Sequence, residues 1–425
     1  MLSFLFYLFI IIGTINLVHF GFYLVGANLY DIQYYKRLNS ARSKKRQRAR
    51  NPLISVLIPA YNEELVIERC LDSLRQSSYK KIEVIVCNDA SSDKTAALIR
   101  NYSRKYPSFL LRLVSRRHNA GKASGLNYIG RRYSNGELIM TLDADSLLEK
   151  DALKNVVKYF DDPAVAGVAA NVRIIEESSV LGILQRFEHL VSYRSKKFYT
   201  ITNCELIIGG VASTYRHAVV KKVGYYDTDT VTEDIGLSIK IAAHGNKAHR
   251  LLYAADVAAM TEGVADFKTL LRQRYRWKLG NLQNIFKYRH MFFSRNQRYT
   301  KSLTYYRFPM AFLGELLLLL EPISFSYILY LTIHFYTLAL LVGAYMTITA
   351  YLLLIIWPDE HLSWRGKIKS SLLAPSLYFI FYLMNVVQLI SIIRCLQDTN
   401  IIFRLRNTEN TWMSPTRVGK VTSFS

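Results

Sequence analysis

The sequence has few of the residues and motifs that mark several common protein classes. Its four cysteines, Cys70, Cys87, Cys204 and Cys395, show no spacing typical of disulfides or metal sites, which predicts buried thiols in a reducing compartment. No G-x-G-x-x-G follows the first predicted strand, and no G-x-x-x-x-G-K-[ST] occurs. The chain therefore lacks the signatures of dinucleotide-dependent oxidoreductases and of P-loop proteins.

Charged residues are absent from the first 30 positions, and residues 308–357 and 372–393 are similarly apolar. A helix of about 20 apolar residues crosses a bilayer. We therefore expect one transmembrane helix at the start of the chain and about three near its end. The first apolar run is too long for a signal-peptide core and has no basic residue before it, so a permanent anchor is expected.

Basic residues exceed acidic ones by 55 − 32 = 23, and many of them flank the apolar segments. The run Arg42–Arg50 follows the first apolar segment, and several arginines precede Phe308. This distribution places the region between them in the cytoplasm. Because the basic clusters lie where anionic head groups would meet them, the lipid bilayer is the expected partner and nucleic acid is not.

The region 51–307 has the mixed composition of a globular domain, in which apolar strands alternate with helical patterns. This alternation predicts a parallel sheet covered by helices on both faces. The predicted strands are 53–59, 82–88, 110–115, 138–142 and 166–172, and the predicted helices are 66–77, 94–106, one through Leu126 and Ile129, 152–160, 181–198, 235–243 and 267–286.

Asp143 and Asp145 follow the apolar strand 138–142. Alternate residues of a strand point to the same side, so the two carboxylates are expected to lie together. Oxygen ligands from one or two carboxylates plus substrate phosphates are what Mg²⁺ or Mn²⁺ prefers. A solvated turn is the simpler interpretation of this tripeptide taken alone.

Three other predicted strand ends are polar. Asn62 and Glu63 follow the first strand, Asp89 follows the second, and the loop from His118 to Lys122 follows the third. Ligands of such sheets bind beyond the carboxyl ends of the strands. We expect a nucleotide pocket there, with Asp89 accepting hydrogen bonds from a base or ribose and Lys122 neutralising a diphosphate.

Two helices carry further candidates. Glu233 and Asp234 begin the helix 235–243, where acids suit the positive dipole end, and Asp234 is also a candidate general base. In the helix 267–286, Gln273, Arg276 and Trp277 fall within about one turn. Arg276 suits a diphosphate and Trp277 a sugar ring, although an amphipathic helix anchored by Trp is the alternative.

The helix 181–198 has apolar residues at helical spacing beside basic ones. Two interpretations stay open: a core helix with a basic rim, or a helix lying at the membrane surface.

Taken together, Asp89, Asp143-x-Asp145, Thr232-Glu233-Asp234 and Gln273-x-x-Arg276-Trp277 resemble the motifs of membrane-embedded family 2 glycosyltransferases, in that family's order. This family includes poly-N-acetylglucosamine, hyaluronan, chitin-oligosaccharide and cellulose synthases. The resemblance covers about residues 53–286. It implies a cytoplasmic GT-A-type Rossmann-like domain with transmembrane and amphipathic interface helices.

The resemblance also implies a metal-dependent hexosyl or N-acetylhexosaminyl transferase in the plasma membrane. It would transfer a sugar, N-acetylglucosamine being the best guess, from a UDP-sugar to a growing β-linked polysaccharide with inversion, and pass the product through its membrane helices. The implied roles are catalysis by Asp234 and Glu233, nucleotide binding by Asn62, Glu63, Asp89, Lys122 and Asp143, Mg²⁺ or Mn²⁺ binding by Asp145 and Asp143, and acceptor or diphosphate binding by Gln273, Arg276 and Trp277.

The sequence departs from the family at two places. Ile207-Ile208-Gly209-Gly210 stands where several members carry a cysteine-containing acceptor loop, and Lys278-Leu279-Gly280 follows Trp277. A transferase adding one sugar to a lipid acceptor is the alternative function, and a non-catalytic transport or scaffold component is a remote one. Small accessory or export proteins are candidate partners, and no regulatory domain is expected after the spans.

These features divide the chain into six predicted parts. They are an N-terminal transmembrane helix (1–30), a basic juxtamembrane linker (31–50), the glycosyltransferase domain (51–265), amphipathic interface helices with the Gln-x-x-Arg-Trp motif (266–307), C-terminal transmembrane helices (308–394) and a basic tail (395–425).

Overall fold

The structure is a computed structural model of the chain. It describes residues 2–39, 51–175, 179–264, 266–334, 338–359, 362–397 and 399–403. The basic run Arg42–Arg50 and most of the predicted basic tail lie outside the described residues.

The central domain is an α/β fold, as the alternation of strands and helices predicts. Its strands are β1 (Ile54–Ala60), β2 (Ile82–Asn88), β3 (Leu111–Ser115), β4 (Leu138–Thr141), β5 (Leu147–Leu148), β6 (Val165–Ile174), β7 (Ser213–Arg216) and β8 (Arg250–Thr261). Its helices are α2 (Ile67–Arg75), α3 (Thr95–Lys105), α4 (Lys122–Arg132), α5 (Ala152–Tyr159), α6 (Val180–Ile201), α7 (His217–Lys222), α8 (Glu233–Ala243) and α9 (Phe267–Lys287), followed by a 3₁₀ turn (Arg289–Met291) and a π-helical turn (Ser302–Arg307).

Helices outside this domain begin and end the chain. They are α1 (Leu2–Asn39), α10 (Phe308–His334), α11 (Leu338–Ile356), α12 (Trp364–Gln397) and α13 (Thr399–Phe403).

The eight strands form one sheet in the order β3-β2-β1-β4-β7-β6-β8-β5. The strands β3, β2, β1 and β4 run parallel, with Ile54 opposite both Ile82 and Leu138. Alternate residues of β1 enter different cores: Val56 and Ile58 pack on one face of the sheet and Leu57 packs on the other. The sheet thus has a buried core on each face, which confirms the prediction that helices cover both faces. A strand buried on both faces needs apolar residues in both directions.

The prediction of a parallel sheet holds for β3, β2, β1 and β4 and for the pair of β6 and β8, but it is wrong for β7 and β5. β7 runs antiparallel to both β4 and β6, and β5 runs antiparallel to β8. The loop 202–212 reaches the carboxyl end of β4, where a Cβ on Gly210 would lie 3.9 Å from Asp143 Oδ2. Since the chain enters the sheet at this edge, β7 can only run back along β4 in the opposite direction.

The helix α6 lies between the sheet and the C-terminal helices. Its residue Leu184 packs with Met384 and Val387 of α12, and Phe187 packs with Ile356 and Ala374. On its other side Tyr193 stacks on Tyr253 of β8, with ring centroids 5.1 Å apart. The helix α6 is therefore packed between the sheet and the apolar C-terminal helices. A position at the membrane surface stays a prediction.

Two of the described helices are long and apolar enough to cross a bilayer. One is Phe6–Gln33 within α1, and the other is Ser302–His334, which comprises the π-helical turn and α10. Shorter apolar helices cover Tyr345–Ile356 and Tyr382–Gln397. The described part of α12 contacts the domain along its length, from Ser370 against Arg186 to Cys395 against Tyr275. Four of the described helices, α10 to α13, follow the domain, and α12 lies along α6 and α9. The number of C-terminal spans stays a prediction.

Candidate functional site

Asp143 and Asp145 follow β4, and each carboxylate has its own surroundings. Asp145 is buried, and its Oδ1 accepts hydrogen bonds from Ser146 Oγ at 2.9 Å and from Thr261 Oγ1 at 3.3 Å. The Asp143 side chain is 26% exposed, and its Oδ1 lies 2.7 Å from Lys122 Nζ. Asp145 is thus held by hydroxyl groups of the sheet, whereas Asp143 faces the open side of the site.

Lys122 joins the end of β4 to the beginning of α8. Besides Asp143, its Nζ contacts Glu233 Oε1 at 3.0 Å. Gly210 approaches the same group: a Cβ there would lie 3.2 Å from Lys122 Nζ and 3.4 Å from Asp234 Oδ2. The fold therefore brings Lys122, Asp143, Glu233 and Asp234 into one cluster under Gly210, although they are far apart in sequence.

Burial and charge give Asp234 an unusual pKa. Burial and, next to it, the charge of Glu233 raise the pKa of Asp234 to about 6, although Lys122 acts in the opposite direction. Burial alone would lower the pKa of Lys122, but Asp143, Glu233 and Asp234 outweigh it and raise the pKa well above the ordinary value. Lys122 is accordingly a fixed cation, while Asp234 can exchange a proton near neutral pH, as a general base must.

Asp89 organises the loop that carries Lys122. Its Oδ2 accepts hydrogen bonds from the backbone N–H groups of Ala120 and Gly121 at 3.1 and 3.0 Å, and its Oδ1 lies 3.1 Å from Arg116. Burial raises the pKa of Asp89, and Arg116 lowers it. In the structure both carboxylate oxygens of Asp89 thus have protein partners. Its contact with a base or ribose stays a prediction.

Asn62 and Glu63 connect the ends of β1 and β2. Asn62 Oδ1 accepts a hydrogen bond from the Ser92 backbone N–H at 2.9 Å, and the Glu63 backbone N–H donates to Thr95 Oγ1 at 2.9 Å. Glu63 is buried. Both residues lie at the predicted edge of the sheet, and the contacts described here fix the shape of the loops.

The helix α9 carries Gln273, Arg276 and Trp277, and Trp277 is 41% exposed. The Oε1 atom of Gln273 is buried without a hydrogen-bond partner among the described residues. Sequence reasoning missed Arg274 of the same helix, which makes two 2.7 Å hydrogen bonds to Glu188 of α6 and stacks its guanidinium 4.4 Å from the Trp277 ring centroid. Arg274 thus fixes the helix that presents the exposed indole.

A second group on α9 that sequence reasoning missed holds the segment before Asp234. A Cβ on Gly280 would lie 2.1 Å from Thr232 Oγ1, and Gln283 Oε1 accepts a hydrogen bond from the Val231 N–H at 2.9 Å. The spacing of these residues with Lys287 places them on one helix face. That spacing was the signal available in the sequence, but nothing in it identifies the segment that the face contacts.

The predicted cation suits the donors at the end of β4. Asp143 and Asp145 offer carboxylate oxygens, and the hydroxyl groups of Ser146 and Thr261 surround Asp145. Within the described residues no group of three His, Cys, Asp or Glu side chains is arranged to hold a metal ion. A hard cation held by one or two carboxylates and completed by substrate phosphates fits this arrangement.

Residues 55–224 match the model of the glycosyl transferase family 2 domain. A poly-beta-1,6-N-acetyl-D-glucosamine synthase of Staphylococcus aureus (strain COL) is 34% identical over 229 residues, which cover 53% of this chain and 54% of the relative. The enzyme of the same name from Staphylococcus epidermidis is 30% identical over 61% of this chain and 62% of the relative. The chain therefore matches somewhat more than half the length of these curated relatives.

A mannosyltransferase from Pyrobaculum calidifontis, solved in complex with GDP-Man and Mn2+, has a similar structure. The TM-score is 0.55 at 22% sequence identity, with 83% of this chain and 98% of that chain covered. At this identity the likeness concerns the fold. The match to the glycosyl transferase family 2 model covers residues 55–224, the part of the chain that carries Asp89, Lys122, Asp143 and Asp145.

Proposed function

We propose that this protein is an inverting, processive glycosyltransferase that transfers N-acetylglucosamine from UDP-N-acetylglucosamine to a growing β-linked polysaccharide. The observation that carries the proposal is the cluster of Lys122, Asp143, Glu233 and Asp234 at the carboxyl edge of the sheet, within a glycosyl transferase family 2 domain.

The cluster supplies the groups that a direct displacement needs. Asp234 takes the proton from the acceptor hydroxyl as that oxygen attacks the anomeric carbon, because a base is most useful when its pKa lies near the working pH. Lys122 offers a fixed positive charge to the diphosphate that leaves. A single displacement of this kind inverts the anomeric centre and yields a β-linkage from an α-linked donor.

Asp145 and Asp143 would hold Mg²⁺ or Mn²⁺. When bound, such a cation neutralises charge on the diphosphate leaving group. Ser146 and Thr261 keep the Asp145 carboxylate in place for this task through their hydroxyl groups. Arg276 and Trp277 are proposed to contact the diphosphate and the acceptor sugar, since a guanidinium suits phosphate oxygens and an indole suits the face of a sugar ring.

The names of the relatives support the choice of sugar. Several share the name poly-beta-1,6-N-acetyl-D-glucosamine synthase, and the matched region covers the domain that carries the cluster. We extend the donor and the polymeric product to this chain on that basis. The proposed setting is a multi-pass protein of the plasma membrane with its domain in the cytoplasm, which the apolar helices α1 and α10 support.

The test is nucleotide release by the purified full chain in lipid nanodiscs with Mn²⁺ or Mg²⁺, across a panel of sugar nucleotides. We expect UDP release with UDP-N-acetylglucosamine above all other donors, and a polymer when the product is sized. Release with a different donor would refute the proposed sugar. A single glycolipid in place of a polymer would refute processive synthesis while preserving the transferase.

A further inference from the structure

The segment that leads into Asp234 is held along its length by one face of α9. Lys287 Nζ lies 2.7 Å from Asp227 Oδ2 and 2.8 Å from Asp229 Oδ2 at the start of this segment. At its end, Gln283 Oε1 accepts a hydrogen bond from the Val231 N–H. Residues 227–232, called the base loop below, are therefore fixed from outside their own neighbourhood in sequence.

Gly280 allows α9 to come close enough for this contact. Any side chain at position 280 would overlap Thr232, since a Cβ would lie 2.1 Å from its Oγ1 and 2.7 Å from its Cβ. Asn284 Nδ2 donates to the Gly280 carbonyl at 2.8 Å, and Asn284 faces Gly236 of α8. The two helices thus meet at glycines on both sides, which fixes the distance between α9 and the beginning of α8.

Gln283 is also bonded on its other side. Its Nε2 donates to the backbone carbonyl of Ile401 in the short helix α13, at 3.2 Å. The orientation of the amide follows from its partners, because a backbone N–H can only donate and a carbonyl can only accept. One fully buried side chain therefore joins the base loop to a helix 118 residues further along the chain.

Apolar packing strengthens this link. Ile402 is 5% exposed and belongs to one buried cluster with Val231 and Leu282. Phe403 meets Phe286 of α9 edge to face, with ring centroids 4.8 Å apart. The base loop, α9 and α13 thus form one packed unit, in which α13 covers the side of Gln283 turned away from the base loop.

We propose that Gln283 is a positioning residue for the transfer reaction. It holds the base loop in a fixed position relative to α13 through its two hydrogen bonds. The proposal rests on the proposed function of Asp234 as the base. Without Gln283 the buried Val231 N–H loses its acceptor, which favours a shift of the base loop. A shift of about 1 Å in a catalytic group can cost on the order of 10²-fold in rate.

The test compares Gln283→Met with Asn155→Leu in the full chain in nanodiscs. Methionine keeps the size of the side chain but makes neither hydrogen bond. Asn155 is a matched control, because its amide donates to the distant Asp256 carbonyl at 2.8 Å without touching the base loop. We expect Gln283→Met to lower kcat about 10- to 100-fold with the donor KM changed less than about threefold, and Asn155→Leu to leave kcat near wild type.

Hydrogen exchange supplies a readout that does not depend on activity. In Gln283→Met the amides of residues 227–234 should exchange faster, while those of β1 and β2 stay protected. Ile402→Ala removes apolar packing between α13 and Val231 but leaves the Gln283 side chain in place, so it should produce the same pattern with a smaller loss of kcat.

Three outcomes would overturn the proposal. The first is wild-type kcat and unchanged exchange in Gln283→Met, and the second is an equal loss of kcat in Asn155→Leu. The third is a change confined to the donor KM. An inactive wild-type protein under all donor conditions would count against the proposed function instead, and the exchange experiment would still test the link between Gln283 and the base loop.

Discussion

The donor side and the base side of the site are built in different ways. On the donor side, the loops after β1, β2 and β3 bind one another: Asn62 accepts from Ser92, and Asp89 accepts from Gly121. On the base side, the loop before Asp234 is held by Gln283 and Lys287 of a later helix. The donor side thus depends on neighbouring βα units, whereas the base side depends on how a distant helix docks.

This difference predicts which step of the reaction a change on each side of the site affects. A change on the donor side should weaken nucleotide binding and leave the chemical step, because the loops there shape a pocket. A change on the base side should slow the chemical step and leave binding, because it moves or removes the base. The predictions below test this separation, beginning with the largest expected effect.

Asp234→Asn should have the largest effect. The substitution keeps the size of the side chain but removes the proton acceptor, so kcat should fall by about 10²- to 10⁴-fold. UDP release under saturating donor measures this change. Asp151→Asn, at an exposed position before α5, is the control and should remain active. If Asp234→Asn retained wild-type kcat, the base assignment would be wrong.

Lys122→Met should lower kcat/KM by on the order of 10²-fold, since the charge-assisted contacts of Lys122 with Asp143 and Glu233 are lost. It should also shift the acid limb of the pH profile upwards, because Lys122 lowers the pKa of Asp234. Kinetics from pH 5 to pH 9 measure both effects. Lys154→Met on the exposed side of α5 is the matched control. An unshifted limb would mean that Lys122 does not act on Asp234.

The wild-type rate should fall tenfold per pH unit below about 6, because Asp234 has a pKa of about 6 and only its ionised form accepts a proton. The same raised pKa means that the folded protein binds a proton more tightly than the unfolded chain. Stability from this group should therefore be lost as pH rises through about 6. In Asp234→Asn the stability should not fall in this way between pH 5 and pH 8, and thermal unfolding of both proteins at these pH values measures the difference. An equal change of stability with pH in both proteins would contradict the raised pKa of Asp234.

Asp89→Asn should have the smallest effect, and it should be confined to the donor side. The neutral amide loses the ion pair with Arg116 and holds the Ala120–Gly121 backbone less firmly. We expect the donor KM to rise about tenfold, which corresponds to about 1.4 kcal/mol, with kcat changed less than about twofold. Initial rates over a range of donor concentration give both values. A fall in kcat with unchanged KM would break the division between the two sides.

Much of the donor side could be predicted from the sequence. The predicted strand 82–88 matches β2, and 138–142 differs from β4 by one residue, because buried strands carry an apolar run that ends at a polar residue. The positions of Asp89, Lys122 and Asp143 at one edge follow from parallel strands alone. The roles of the individual site residues stay predictions.

The base side could not be predicted in the same way. The sequence pattern identified the helix that begins at Glu233 and the helix that contains Arg276, but no periodicity shows that these helices meet at Gly280 and Thr232. The strand β8 was missed as well. It joins the sheet beside β6 and supplies Thr261 to Asp145, a contact 116 residues apart in sequence.

The sequence by itself determined the elements whose cause is local. Alternating and helical apolar patterns set the strands and helices, and the charge-free first segment set an apolar helix at the start of the chain. The tertiary structure decided the antiparallel entry of β7, the closeness of Gly210 to Asp234, the raised pKa of that acid and the link from Gln283 to α13. These depend on burial and on contacts between distant segments. Such contacts have no periodic pattern in the sequence, because they join residues of separate elements.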